Sequence, residues 1–347
     1  MLANMGRVPA SMKQIAAEAG VSMMTVSRVL RDEASVAPKT KALVLSIAAR
    51  LGYKRNRLVR GMQSGRSGIV ALVVPCGHVM SPSIMAGAYD YFNEKDRIMA
   101  VDLVHGNLGE QAFAEQVKVI NRLLETRVDG ILLLPVNEAA SPLYFKEVVE
   151  RKIPLVLVDR NTTHFAADFV GTDDFAGGRE AARVLVKNGC KRAVLVSTGD
   201  IVSTSRMRVQ GFRAGLAEFG LAPTGEIIAP NFTANAELID QELAKYKGQF
   251  DCVFGVADSL AISAWRSCQS MGLKIPEQVK VVGFGALDVS DPGIVLSSFD
   301  QDPYQIGRNA AELLMDRIES EATGDLPAAT TILTMPRFVP GASCAAV

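Results

Sequence analysis

Residues 20–31 read GVSMMTVSRVLR, and within them Met23, Met24, Ser27 and Arg28 share one side of a short helix. Val26, Val29 and Leu30 recur at helical spacing as an inward stripe, so the other four must face outward. A guanidinium offers a planar fork of donors to a phosphate or to the edge of a guanine. A thioether reads neither donors nor acceptors, but it packs on an apolar group such as a thymine methyl. Ser22, Met23, Met24, Thr25, Ser27 and Arg28 are therefore candidates for nucleic-acid contact. The alternative is an ordinary solvated helix face.

Charge distribution bears on that choice. The 347-residue chain has a net charge of zero. Residues 1–66 nevertheless carry twelve Lys/Arg against three Asp/Glu, a balance of +9. The remaining 281 residues carry 25 against 34, a balance of −9. A compact basic head on an acidic body favours a polyanion as the partner of the head.

Three short helices would position the candidate face. Ser11 can cap a first helix whose Met12, Ile15, Ala16 and Ala19 form one apolar side. Gly20 supplies the left-handed residue that a tight interhelical turn needs. Ser22 caps the second helix, and a third, near 38–51, starts at Pro38 and is expected to bury Leu43, Ile47 and Leu51. Two helices joined by a glycine turn, followed by a third, form the helix-turn-helix plan.

After SGRSG at 64–68, apolar runs alternate with helical stretches. IVALVVP precedes a helix near 84–95, RIMAVDLV one at 109–126 and VDGILLLP one at 141–150; IPLVLVD then closes the first series. Helix 174–188, RAVLVS, helix 204–219, EIIAP, helix 234–246, DCVFGVA, helix 258–272 and VKVVGF form the second. The tail supplies a strand, a turn and a late helix. Uniformly apolar strands between helices mean parallel sheets covered on both faces. The two-part rhythm predicts an α/β body of two doubly wound lobes, with ligand at the carboxyl ends of the strands.

Other classes find little support. Cys76, Cys190, Cys252, Cys268 and Cys344 are scattered and lack CxxC spacing, which argues against disulfides or a zinc site and fits a reducing cytoplasm. The N-terminal stretch MLANMGRVPASMKQ has no apolar core, so no signal peptide is expected, and no apolar run is long enough to span a membrane. The chain has no GxSxG, HExxH or GxxxxGK[ST], and His78, His105 and His164 are spread apart. No catalytic residue, metal or cofactor is expected.

The run MKQIAAEAGVSMMTVSRVLRDEASVAPKTKALVLSIAARLGYKRNRLVRGM resembles the DNA-binding head of lactose-repressor (LacI/GalR) family regulators. AGVS, TVSRVL and LGY carry the likeness. The resemblance implies base reading by Met23, Met24 and Arg28. It also implies that residues 56–63 are the family's hinge helix, which folds on operator DNA and wedges an apolar side chain into the minor groove. Met62 falls at the wedge position, with Asn56 and Arg60 beside it. Ala37 stands where the family has a capping Ser, and Arg55 replaces the usual Pro.

The body is similar to the same family, and to the periplasmic sugar-binding fold, over nearly all of 68–340. LVLVDR, GTDDFAGGREAARVLVKNG, RMRVQGFRAGL, GLKIPEQVKVVGF and RFVPGASC carry this likeness. It implies a homodimer and a small effector held by Ser81, Ser83, Thr172, Thr204, Arg208, Phe232 and Asp258. Arg208 would bind a hydroxyl pair or a carboxylate. The family's GFDD is replaced by GFGALD, and its ND by Ala257–Asp258, so the groups that bind neutral sugar hydroxyls are missing unless Asp288 substitutes. With no fixed negative charge opposite Arg208, an anionic ligand is expected. GFG also resembles the branch that senses gluconate and related sugar acids.

These readings predict a helix-turn-helix domain at 1–54, a hinge and linker at 55–67, and an effector-binding and dimerisation body at 68–347. The expected protein is a cytoplasmic transcriptional regulator of double-stranded operator DNA, controlled by a sugar or sugar acid. A transport sugar-binding protein shares the body fold, but the basic head and the lack of a leader oppose it.

Overall fold

A computed structural model describes residues 10–30, 32, 35–53, 66–106, 109–136, 147–148, 150–162, 166–199, 202–232, 236–286, 293–324 and 327–344. The chain divides into two compact units, Met1–Ser67 and Gly68–Val347.

The first unit contains α1 (Met12–Ala19), α2 (Met23–Leu30) and α3 (Pro38–Arg50). Ser11 and Gln14 form a reciprocal capping box at the start of α1, and Gly20 closes it at φ +66°. The amide of Thr25 donates to Ser22 Oγ at 3.1 Å and so caps α2. Ala37 offers α3 no side-chain cap. Ile15, Ala16, Val26, Val29, Val44, Ile47 and Ala48 form the core. Leu43, expected inside, is 47% exposed, and Val44 takes its place. Apolar residues lie on several sides of α3, so the packing of α1 and α2 decides which of them face in.

The second unit alternates strands and helices. Its first half runs β1 (Ile69–Pro75), α4 (Ser81–Glu94), β2 (Ile98–Val104), α5 (Glu110–Glu125), β3 (Gly130–Leu133), β4 (Leu155–Val158) and β5 (Asp168–Thr172). Its second half runs α6 (Asp174–Lys187), β6 (Ala193–Ser197), α7 (Ser203–Ala217), β7 (Gly225–Ile228), α8 (Ala236–Ala244), β8 (Cys252–Gly255), α9 (Asp258–Ser270), β9 (Lys280–Val282) and β10 (Ser298–Asp300). α10 (Pro303–Thr323), β11 (Thr331–Thr334) and β12 (Arg337–Val339) complete it. The helix expected at 141–150 falls largely outside the described residues.

Two parallel sheets result, in the orders β11–β5–β4–β3–β1–β2 and β7–β6–β8–β9. The lobes are not consecutive in the chain. α10 packs into the core of the first lobe, β11 pairs with β5, and β12 pairs antiparallel with β10. The chain thus passes between lobes at 172–174, 300–303 and 334–337. These passages are tied together: Thr172 Oγ1 donates to Gln301 Oε1 at 3.0 Å, and the Asp173 amide donates to the Thr334 carbonyl at 2.9 Å.

Candidate functional site

Two surfaces gather residues that the sequence singled out. On α2, Met23 and Met24 are 55% and 63% exposed, while Val26 and Val29 are buried. Arg28 is exposed on the same helix, and Ser22, Thr25 and Ser27 are exposed or half-buried. A surface with two bare thioethers and a guanidinium can pack on methyl groups and bond to acceptors at once. Asn56, Arg60 and Met62 lie outside the described residues.

In the body, a cavity of about 680 Å³, open mouth included, lies at the carboxyl ends of strands from both sheets. The turn after β1 contributes His78 and the turn after β4 contributes Asp159 and Arg160. Thr204 and Arg208 come from α7, Phe232 from beyond β7, and Asp258 from the start of α9. Phe284, beyond β9, and Gln301, at the second passage, close the ring.

Arg208 is the centre of this arrangement, and it is 5% exposed. Its Nε donates to Asp174 Oδ1 at 2.7 Å, one terminal nitrogen to the Val256 carbonyl at 2.8 Å, and the other to Gln301 Oε1 at 2.8 Å. Its guanidinium carbon sits 3.9 Å from the centre of the Phe284 ring. The expectation that no fixed negative charge faces Arg208 is therefore corrected. Asp174 neutralises it.

Glycines make that pairing possible. A Cβ on Gly178 of α6 would overlap the backbone carbonyl of Arg208, and a Cβ on Gly211 of α7 would overlap that of Phe175. Only bare backbone lets the two helices approach this closely, and the approach brings Asp174 to Arg208.

Burial pushes the Asp174 carboxyl up to about 7; Arg208 opposes the rise, while Asp159 and Asp173 add to it. Asp159 behaves otherwise. Burial pushes it up as well, but the hydrogen bond from His78 and the charges of His78, Arg160 and Arg208 more than offset this and hold it below the ordinary carboxylate value. Its Oδ2 lies 3.4 Å from His78 Nε2, and its buried Oδ1 has no hydrogen-bond partner among the described residues. Ser298 Oγ donates to Asp258 Oδ1 at 2.5 Å. The cleft lining thus holds two buried carboxylates, Asp159 with an oxygen ready to accept a bond and Asp258, and Asp174 lies behind Arg208 in the wall of the neighbouring cavity.

Residues 11–56 match the lacI family of bacterial regulatory proteins, and residues 85–322 match the periplasmic binding protein domain. The HTH-type transcriptional regulator GntR of Pseudomonas aeruginosa is 30% identical over 321 residues, covering 91% of each chain. The chain belongs to the LacI family. This LacI-family regulator is also 27% identical over 335 residues to the HTH-type transcriptional repressor CytR of Escherichia coli, covering 93% of this chain and 94% of CytR. A solved complex of the transcriptional regulator CelR with cellobiose superposes with a TM-score of 0.69 at 25% identity, over 96% of this chain and 99% of that one.

Of the effector residues read from the LacI-family pattern, the fold brings Thr204, Arg208, Phe232 and Asp258 to the cavity. Ser81 is buried beneath it, 3.3 Å from His78 Nδ1, and Ser83 is exposed on α4 away from the lining. Thr172 bonds Gln301 and lines a neighbouring cavity of about 780 Å³, open mouth included. Asp288 lies outside the described residues. The sequence reading missed His78, Asp159, Arg160, Asp174, Phe284 and Gln301. Each lies just beyond an apolar strand or at a passage between lobes, which was the available signal.

The cysteines also differ from their sequence pattern. Cys190, Cys252 and Asp251 bring their donor atoms within 4.8 Å of one another although 190 and 252 are far apart in the chain. The Asp251 carboxylate accepts from the amides of Lys191 and Arg192, so it ties down the turn before β6. All five cysteines are free thiols. No helix of the described residues is long and apolar enough to cross a membrane.

Proposed function

We propose that the protein is a homodimeric cytoplasmic repressor, without catalytic activity, that binds a near-palindromic operator and releases or grips it in response to a sugar or sugar acid. Residues 1–54 are the DNA head, with Met23, Met24 and Arg28 reading base edges and Ser22, Thr25 and Ser27 supporting them. Residues 55–67 are the hinge and linker, where Asn56 and Arg60 meet the backbone and Met62 supplies the minor-groove wedge. Residues 68–347 bind the effector.

The observation that carries the ligand half is the ring of buried polar groups around the cleft, above all the unpartnered Asp159 Oδ1. Hydroxyl-rich molecules satisfy such acceptors, and an aromatic face such as Phe232 suits the apolar side of a sugar ring. The relative solved with cellobiose supports the sugar class. The effector works by binding one of two body conformations more tightly than the other.

Selection of DNA from a random pool with the full chain tests the DNA half. Enrichment of a palindrome, with steep loss of binding as salt rises, is the expected result. Binding that never discriminates among sequences would remove the repressor reading. Met62→Leu should keep operator bending and Met62→Ala should reduce it; a bend unchanged in both would leave 56–63 a tether.

A further inference from the structure

We infer that Asp174, which holds Arg208 from the wall of the neighbouring cavity, sets the specificity of the cleft: it takes up on Arg208 the bond an acidic ligand would claim, so a sugar acid binds only together with one proton. The inference rests on the sugar or sugar-acid reading and deepens it.

Arg208 has no idle edge. Asp174, the Val256 carbonyl and Gln301 each hold a different nitrogen, and Phe284 covers one face. Val256 offers backbone at the end of β8, and Gln301 is also held by Thr172. Asp174 is the one partner whose hold on Arg208 can be switched off by chemistry rather than by moving a strand. It starts α6 directly after Asp173, which caps that helix by accepting from the Ala176 amide at 2.9 Å.

The groups facing Asp174 explain why a proton must accompany the ligand. Arg208 approaches from α7, Asp159 from the turn after β4, and Asp173 from its own helix start. Arg206 of α7 shares the lining of the neighbouring cavity with Asp174. A fourth carboxylate beside these three, taken out of water, is strongly disfavoured while all are ionised. Burial already pushes Asp174 up to about 7, so a proton can neutralise it near neutral pH.

The exchange balances simply. The ligand carboxylate bonds Arg208, Asp174 releases it, and one proton from solvent forms an O–H bond on the Asp174 carboxylate. Neutral Asp174 can then donate to the ligand instead of repelling it. A neutral polyol displaces nothing and takes up no proton.

Calorimetry on the full chain tests this with gluconate and its neutral alditol, glucitol, in buffers of different ionisation enthalpy. Gluconate affinity should be nearly flat below about pH 7 and fall roughly 30-fold by about pH 8.5, with close to one proton taken up there. Glucitol binding should be independent of pH. Asp174→Asn should bind gluconate with no proton uptake and a flat profile. His78 faces Asp159 rather than Asp174, so Asp174→Asn leaves that contact in place.

Wild-type gluconate binding without proton uptake overturns the inference, and that measurement needs no variant. A pH profile unchanged in Asp174→Asn overturns it too. If both proteins bind glucitol and reject gluconate, the inference fails while the sugar reading stands. If neither protein binds either ligand, both fail.

Discussion

Replacing Asp174 by Asn should stabilise the second lobe, by an amount that grows with pH. Burial raises the Asp174 carboxyl from 3.8 to about 7, and that value already includes the opposing pull of Arg208. A group that holds its proton more tightly when folded gives its full contribution below pH 3.8 and loses it as pH rises from there through about 7. About three units at about 1.4 kcal/mol each withhold roughly 4 kcal/mol above the upper limit. Asn has the same shape and never ionises. The gain should therefore be near zero at about pH 3.5, about 1–2 kcal/mol at about pH 5 and up to roughly 4 kcal/mol at about pH 8. The single tryptophan, Trp265, is 5% exposed in the core of the second lobe and reports its unfolding directly. Urea unfolding followed by its fluorescence at both ends of the range measures the effect. A variant no more stable than wild type at about pH 8 would refute the reasoning, because Asp174 would then be an ion that Arg208 fully compensates.

Arg208→Ala should act in the opposite sense, costing about 3–5 kcal/mol near pH 8 because it strands a buried carboxylate. The same unfolding assay reads it, and the loss should shrink near pH 5, where Asp174 takes a proton. Arg28→Ala should weaken operator binding by about 1–3 kcal/mol and relax preference at one position per half-site; equal loss on random DNA in a gel-shift titration would mean that Arg28 touches only phosphate. Ala37→Ser should stabilise the head by about 1 kcal/mol, since α3 begins without a side-chain cap at an extended backbone position that Ser can occupy. Thermal unfolding followed by helix content detects it, and an unchanged head transition would show that water already satisfies the α3 amides.

The exposed face of α2 was legible in the chain because its signals are local. Ser22, the stripe Val26–Val29 and Gly20 all act within a few residues of one another, and such spacing dictates which side of α2 must stay bare. Strand–helix alternation was legible for the same reason; Thr204, Arg208, Phe232 and Asp258 were singled out by the family resemblance rather than by local spacing, and the fold places them along one cavity. β5 was not read as a strand: its DFVGT run is short, and it acquires its identity by pairing with β4 and β11. Nor was the return of α10 and β11 to the first lobe, since Thr331 finds Phe169 across more than 160 residues.

The electrostatics of the cleft belong wholly to such distant encounters. Arg208 alone reads as a cation awaiting a ligand, since GFGALD and Ala257–Asp258 lack groups that the resembling family carries. Asp174 reaches it from 34 residues away because Gly178 and Gly211 let two helix backbones touch. Gln301 reaches it from 93 residues away because the chain crosses between lobes beside it. Charge, burial and proton affinity depend on which groups become neighbours out of water, and neighbours separated by whole elements leave no periodic trace in the sequence.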